Sequence, residues 1–271
     1  MNELSMFGFP IVFNADNKML IPNAEDISYE AYNRKYSEAM LGLLSDKNYY
    51  KKDDIFYDFY KSIGRNNERE IFNTHGLRYD STVIMSGCAG NEFKKTAGHF
   101  HCEIPGKKVS YPEYYQVIKG KAVFVMQKVD YEHTPGRMNV LDCIVAEVAA
   151  GQAIVIPPNY GHCTVNVSNE TMVFSNLVAI DSKNFYDSVR HSFGMCCYIK
   201  KAVNNSYSIE KNDNYDFSCE PKLVTPIENI TLGILSNQPV YNEFLHSPQK
   251  FNYLLDPENN MKDFFNVFIT K

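Results

Sequence analysis

The chain has no excess of basic residues: 27 Lys and Arg against 32 Asp and Glu leave a formal net charge of −5 over 271 residues. Counterion release from a nucleic acid and attraction to an anionic membrane surface both need a positive field, so neither partner is expected. Long apolar runs are missing as well. The opening MNELSMFGFPIVF carries Glu3 early and no basic stretch, and reaches Asn14 and Asp16 before an apolar core can form, so it reads as neither a leader nor a membrane span. The seven cysteines (Cys88, Cys102, Cys143, Cys163, Cys196, Cys197 and Cys219) show no CxxC spacing and an odd count. They sit mostly in apolar runs, where a thiol behaves as a small hydrophobe, and are expected to be reduced thiols of a cytoplasmic protein. No internal repeat or low-complexity tract is present. With 44% hydrophobic residues, the chain can bury a sizeable core.

From Asp26 to Leu44 the apolar residues Ile27, Tyr32, Tyr36, Met40, Leu43 and Leu44 recur at spacings near those of a helix, and one N-terminal helix is expected there. Beyond Ile55 the texture changes to short β-branched and aromatic runs broken by Gly, Pro, Asn and Asp, the pattern of an antiparallel barrel or sandwich. Nine strands are expected, starting at Ile55, Leu77, His99, Glu113, Lys121, Val140, Ala153, His162 and Met172. Lys119-Gly120-Lys121 reads as a tight hairpin. Pro157-Pro158 ends the buried strand AIVI and delivers the chain to Tyr160 and His162 at a rim. Val240 to Leu255 has roughly helical spacing. The expected organisation is an N-terminal extension over residues 1–50, a β-barrel over 51–192 and a C-terminal extension of strands then helix over 193–271.

The segment Gly98-His99-Phe100-His101 is the most informative. On a strand, side chains at i and i+2 share a face, so His99 and His101 converge while Phe100 points away. His162 opens a strand after the proline turn, and Glu113 opens the strand following the histidine pair. Three imidazoles and one carboxylate suit a divalent first-row metal with positions left open. HxH alone is a weak signal; its strength here comes from the order of glycine, HxH, glutamate, glycine hairpin, double proline and third histidine.

In that order the chain resembles the cupin superfamily and, within it, the cupin-type glucose-6-phosphate isomerases of archaea and some bacteria. The matching segments are Thr96-Ala97-Gly98-His99-Phe100-His101, then Glu113-Tyr114-Tyr115 running into Ile118-Lys119-Gly120-Lys121, then Val155 to Asn166 with Pro157-Pro158 and His162. The resemblance spans roughly residues 50 to 190. It implies a mainly β cupin barrel (double-stranded β-helix, or jelly roll) and an aldose–ketose isomerase acting on a sugar phosphate, usually as a homodimer. It further implies metal ligation by His99, His101, Glu113 and His162, and catalysis by Glu113 with Tyr115 near the sugar. Tyr57, Thr82, Thr96, the Gly98 amide and Tyr186 would hold the phosphate. Iron(II) or manganese is the expected metal, with zinc, nickel or cobalt accepted by the same donors. The sequence departs from the family in a longer loop between His101 and Glu113, which leaves Glu103 as a competing ligand. Asn184 stands where the family has a histidine, and Cys163 where arginine is common. Two other readings use the same residues: a dioxygenase-type metal cupin, and a sugar-phosphate-binding cupin without turnover.

Overall fold

The run IFYDFYK over Ile55–Lys61 alternates half-buried and fully buried side chains, as a strand does when one face packs on a core. Strands of this kind dominate the computed structural model, which describes residues 2–134 and 136–270. Two sheets form the body of the molecule. The first is antiparallel throughout and runs in the order Ala153–Ile156, Glu113–Lys119, Met172–Ala179, Leu77–Ile84, Ile55–Lys61, Ala31–Tyr36. The second runs Gly161–Asn166, Lys121–Thr134, Arg137–Ala149, Lys222–Pro226, Phe268–Thr270, with Lys222–Pro226 parallel to its neighbour Arg137–Ala149. The sheets face each other over Ile84, Val117, Phe124, Met126, Ile154 and Phe174. This is the jelly-roll layout of a cupin barrel. Gly120 turns the tight hairpin with φ +83°, a conformation that disfavours any residue with a Cβ.

Every residue of Met172–Ala179 is buried, which means that both faces of the first sheet are covered. Its outer face lies under Phe7 and Phe9 from the N-terminal segment and Tyr241, Phe244 and Phe251 from the C-terminal one. Phe72 stacks on Phe244 at 4.4 Å and Phe9 meets Tyr241 edge-on at 4.6 Å. Helix Val240–His246 and the 3-10 turn Pro248–Leu254 replace the single helix expected up to Leu255. Pro248 cannot extend the helix that precedes it. The polar stretch after Asn204 contributes Tyr207–Lys211, paired with Cys197–Lys201. No helix among the described residues is long and apolar enough to cross a membrane.

The N-terminal helix expected over 26–44 does not form. Ile27–Ser28 and Ala31–Tyr36 are strands and Ser37–Met40 is a 3-10 turn. A spacing of four, as from Tyr32 to Tyr36, satisfies a period of two as well as one of 3.6, and the neighbouring sheet edge decides between them. Tyr32 stands opposite Tyr60 with rings 5.1 Å apart, and Arg34 stands opposite Asp58, its Nε donating to Oδ1 at 2.7 Å and Nη2 to Oδ2 at 2.8 Å. Asp58 is fully buried, so removing Arg34 strands an ionised carboxylate. We expect Arg34→Met to destabilise the fold by about 3–5 kcal/mol, read from urea unfolding midpoints. A cost under about 1 kcal/mol would show that this edge is not fixed by the pair.

Candidate active site

His99 and His162 lie on backbones joined by two hydrogen bonds, His99 N–H to His162 O at 3.1 Å and His162 N–H to His99 O at 2.9 Å. Two glycines make this seam possible. A Cβ on Gly98, which sits at φ +81°, would fall 2.8 Å from Met195 Sδ, and one on Gly161 would run into the Phe100 ring. The two-residue strand Phe100–His101 pairs with Asn184–Phe185, so the six-residue strand expected from His99 is reduced to this clip. The loop beyond it returns to the first sheet at Glu113.

Across this seam His99 Nε2 lies 3.1 Å from His101 Nε2. Glu113 Oε2 is 3.2 Å from both His101 Nε2 and His162 Nε2. One donor atom from each of the four residues lies within 4.8 Å of the others. The structure therefore brings His99, His101, Glu113 and His162 together. Glu103, the competing carboxylate, is exposed, bridges to Ser110 and is not among them.

The Nδ1 of His101 faces the Tyr111 carbonyl at 2.8 Å, so a neutral ring carries its proton there and turns its Nε2 lone pair inward. Asn176 donates Nδ2–H to Glu113 Oε1 at 2.7 Å, leaving Oε2 without a full hydrogen bond. Lone pairs on nitrogen and oxygen thus converge in a buried space, which must take up positive charge as shared protons or as a cation. Burial lowers His99 well below the ordinary histidine range and lowers His162 too, the latter against the pull of Glu113. Burial by itself would raise Glu113, but His101 and His162 outweigh it and hold the carboxyl well below its usual range. Neutral imidazoles beside an ionised carboxylate are the protonation states that ligation of a divalent metal requires. The donor set could therefore hold a metal.

A cavity of about 260 Å³ opens beside the cluster and is lined by Tyr57, Thr82, Thr96, Gly98, Tyr115 and Tyr186, with Asn184 among the remaining wall residues. Tyr115 Oη is 2.9 Å from His162 Nε2. Burial, with Glu113 adding to it, pushes the Tyr115 phenol well above its ordinary pKa, which keeps it protonated. Asn184 donates to Tyr186 Oη at 3.3 Å, and the Tyr186 ring lies 5.5 Å from His99. Cys163 is buried behind the seam and does not line the cavity.

Residue 33 to residue 217 matches the family model described as glucose-6-phosphate isomerase, more than half of the chain. The chain belongs to this family. A glucose-6-phosphate isomerase of Thermococcus gammatolerans is 30% identical over 175 residues, covering 63% of this chain and 78% of the relative. One from Pyrococcus abyssi is 25% identical over 189 residues, covering 68% and 86%. Among solved structures, a recombinant oxalate oxidase in complex with glycolate covers 38% of this chain and 42% of its own at 17% identity, with a TM-score of 0.27.

The site of this family member contains residues that sequence reasoning missed. Asn33 and Lys35 line the cavity from the strand that had been expected as helix, and Lys35 stands opposite Tyr57. Arg78 reaches the cavity wall while its Nε donates to buried Asp80 at 2.8 Å. Asn176 had a visible signal: it sits with Ser175 in the middle of an apolar, fully buried strand, where a polar side chain needs a partner. We expect Asn176→Ala to lower kcat by about 10- to 100-fold, because losing a hydrogen bond to a charged group costs about 1.5–3 kcal/mol. Steady-state kinetics with KM measured separately checks this, and an unchanged kcat would remove Asn176 from any role through Glu113.

Proposed function

We propose that the site interconverts glucose 6-phosphate and fructose 6-phosphate, using one divalent metal held by His99, His101, Glu113 and His162. The observation that carries this reading is the convergence of those four donors beside a hydroxyl-rich cavity, with His99 and Glu113 in its wall together with Lys35. When bound, the metal supplies Lewis-acid polarisation of the carbonyl and neighbouring hydroxyl oxygens of the opened sugar. Iron(II) or manganese is favoured, with zinc, nickel or cobalt accepted.

Glu113, ionised and steadied by Asn176, takes the proton from C2 of the open aldose. The C–H electron pair becomes the C1–C2 double bond of a cis-enediol as the carbonyl π pair moves onto O1, a proton passes from O2 to O1, and Glu113 delivers to C1 a proton that can exchange with solvent as the ketone forms at C2. Tyr115, kept neutral by burial, supplies the proton for ring opening. Tyr57, Thr82, Thr96, the Gly98 amide and Tyr186 hold the phosphate, with Lys35 as the added cation. Seven free cysteines accord with a cytoplasmic setting. Homodimerisation through exposed sheet edges such as Phe268–Thr270, where Ile269 is 57% exposed, follows from the unpaired backbone groups an edge presents.

Conversion of fructose 6-phosphate to glucose 6-phosphate by protein reloaded with single metals tests the reading. Turnover in heavy water with deuterium entering at C1 or C2 supports the enediol route, and transfer without exchange would favour a hydride shift. Oxygen uptake, or sugar-phosphate binding without turnover, would replace the isomerase by a dioxygenase-type or a binding cupin. Lys35→Met is expected to raise KM for fructose 6-phosphate about tenfold while leaving kcat within about twofold, the loss of one charge-assisted contact of roughly 1.4 kcal/mol. An unchanged KM would place the phosphate elsewhere in the cavity.

A further inference from the structure

Behind the barrel, away from the histidines, three cysteines from two separate parts of the chain meet. Cys143 lies on strand Arg137–Ala149, Cys197 begins strand Cys197–Lys201, and Cys196 immediately precedes it. Successive residues on a regular strand face opposite sides, yet Cys196 Sγ is 3.4 Å and Cys197 Sγ 3.8 Å from Cys143 Sγ. A bend at Cys196 turns both sulfurs onto the third. The bend is held by Cys196 N–H donating to Gln127 Oε1 at 2.6 Å and by Asn212 N–H donating to Cys196 O at 2.8 Å. It follows Phe193 and Gly194, both at positive φ. If these cysteines served only as small hydrophobes, nothing would require three polarisable sulfurs to be gathered at one point by a kinked backbone.

We propose that Cys143, Cys196 and Cys197 form a second, sulfur-only site that takes a soft monovalent cation, copper(I). The three sulfurs lie within 4.8 Å of one another. A metal–thiolate bond of about 2.3 Å places three sulfurs of a trigonal site about 4.0 Å apart, close to the separations found. Soft thiolate donors select copper(I) or zinc, and zinc's structural sites take four ligands. Here a fourth donor is missing from the described group: Gln127 Oε1 is engaged by Cys196 N–H, and Cys219 Sγ turns to Val140 O at 3.7 Å. All three cysteines are at most 1% exposed, so water is not at hand to complete a tetrahedron. Charge also favours the monovalent cation. Copper(I) bound by two thiolates and one thiol releases two protons and leaves one negative charge. Lys211, paired across the sheet with Cys197, is the nearby cation, its Nζ also bonded to Glu220 Oε1 at 2.7 Å.

The test is an anaerobic titration of the full chain with copper(I) against a chromogenic copper(I) chelator, run on the unaltered protein and on a His99→Ala/His101→Ala variant that removes the histidine cluster. One equivalent retained by both is the expected result, with at least tenfold weaker retention in Cys143→Ser. If Cys143→Ser does not fold, X-ray absorption at one equivalent on the unaltered chain decides: a shell of three sulfurs supports the site, and a nitrogen or oxygen shell overturns it. No retention, retention undiminished in folded Cys143→Ser, or preferential retention of zinc(II) in a four-ligand shell would each overturn it too, the first two returning the cysteines to a packing role.

Discussion

Replacing Glu113 by Gln is expected to lower kcat for fructose 6-phosphate by about 10²–10⁴-fold, the range for loss of a positioned general base, with KM changed little. The reason lies in which atoms the substitution keeps. A glutamine carbonyl can still accept from Asn176, which donates to Oε1 at 2.7 Å, so the side chain stays in place and the fold is spared. Its amide, however, cannot take a proton from carbon, and it presents N–H groups where Oε2 lies 3.2 Å from His101 and His162. The cavity wall around Tyr57 and Lys35, proposed to hold the phosphate, is left intact. Metal content measured on the same sample separates two roles. Loss of metal together with turnover marks Glu113 as an indispensable ligand, whereas metal retained without turnover marks it as the base. Activity within tenfold of the unaltered protein would sink both roles.

Removal of the metal should have the second large effect. Treatment with a strong chelator is expected to reduce turnover to background, and one equivalent of iron(II) or manganese to restore it. A cation that binds the folded site and not the unfolded chain stabilises by about 2.7 kcal/mol at a hundredfold excess over Kd, which in a chain of this size raises Tm by roughly 5–10 °C. The cluster gives a reason for the shift to be large. His99 and His101 bring their Nε2 atoms to 3.1 Å of each other, and Glu113 Oε2 is buried without a full hydrogen bond, so a cation between them relieves both. His101→Ala should abolish both the reactivation and the thermal shift. Full turnover in chelator with no change in Tm would remove the metal from the proposal and leave Tyr115 and Glu113 as an acid–base pair acting alone.

The barrel strands were legible because each is a short β-branched or aromatic run closed by a turn residue. Ile55, Leu77, Glu113, Lys121 and Met172 all begin or lie at the start of the strands expected from them. The histidine cluster was legible for a related reason, since the alternation of HxH places two rings on one face and the double proline delivers the third. The N-terminal segment reads as a helix in sequence because Tyr32 and Tyr36 satisfy two periodicities. Only the presence of Asp58 and Tyr60 on a neighbouring strand selects the extended form. Lys35 enters the cavity wall solely because this segment is a sheet edge. For Asn176 and Arg78 the sequence shows a polar residue but not its partner, Glu113 or Asp80, which is supplied by contacts across the first sheet or along one of its strands.

By itself the sequence determined the mainly β architecture, the family and the three histidines that converge, since these follow from local alternation, turn chemistry and the order of short motifs. Tertiary structure alone decided between Glu103 and Glu113. One is left exposed on the loop and the other is carried into the barrel by a buried strand. Tertiary structure likewise decided which residues line the cavity and which cysteines meet. Those outcomes depend on residues far apart in the chain arriving at one place, and sheet pairing and burial set that arrangement while local sequence patterns carry no record of it.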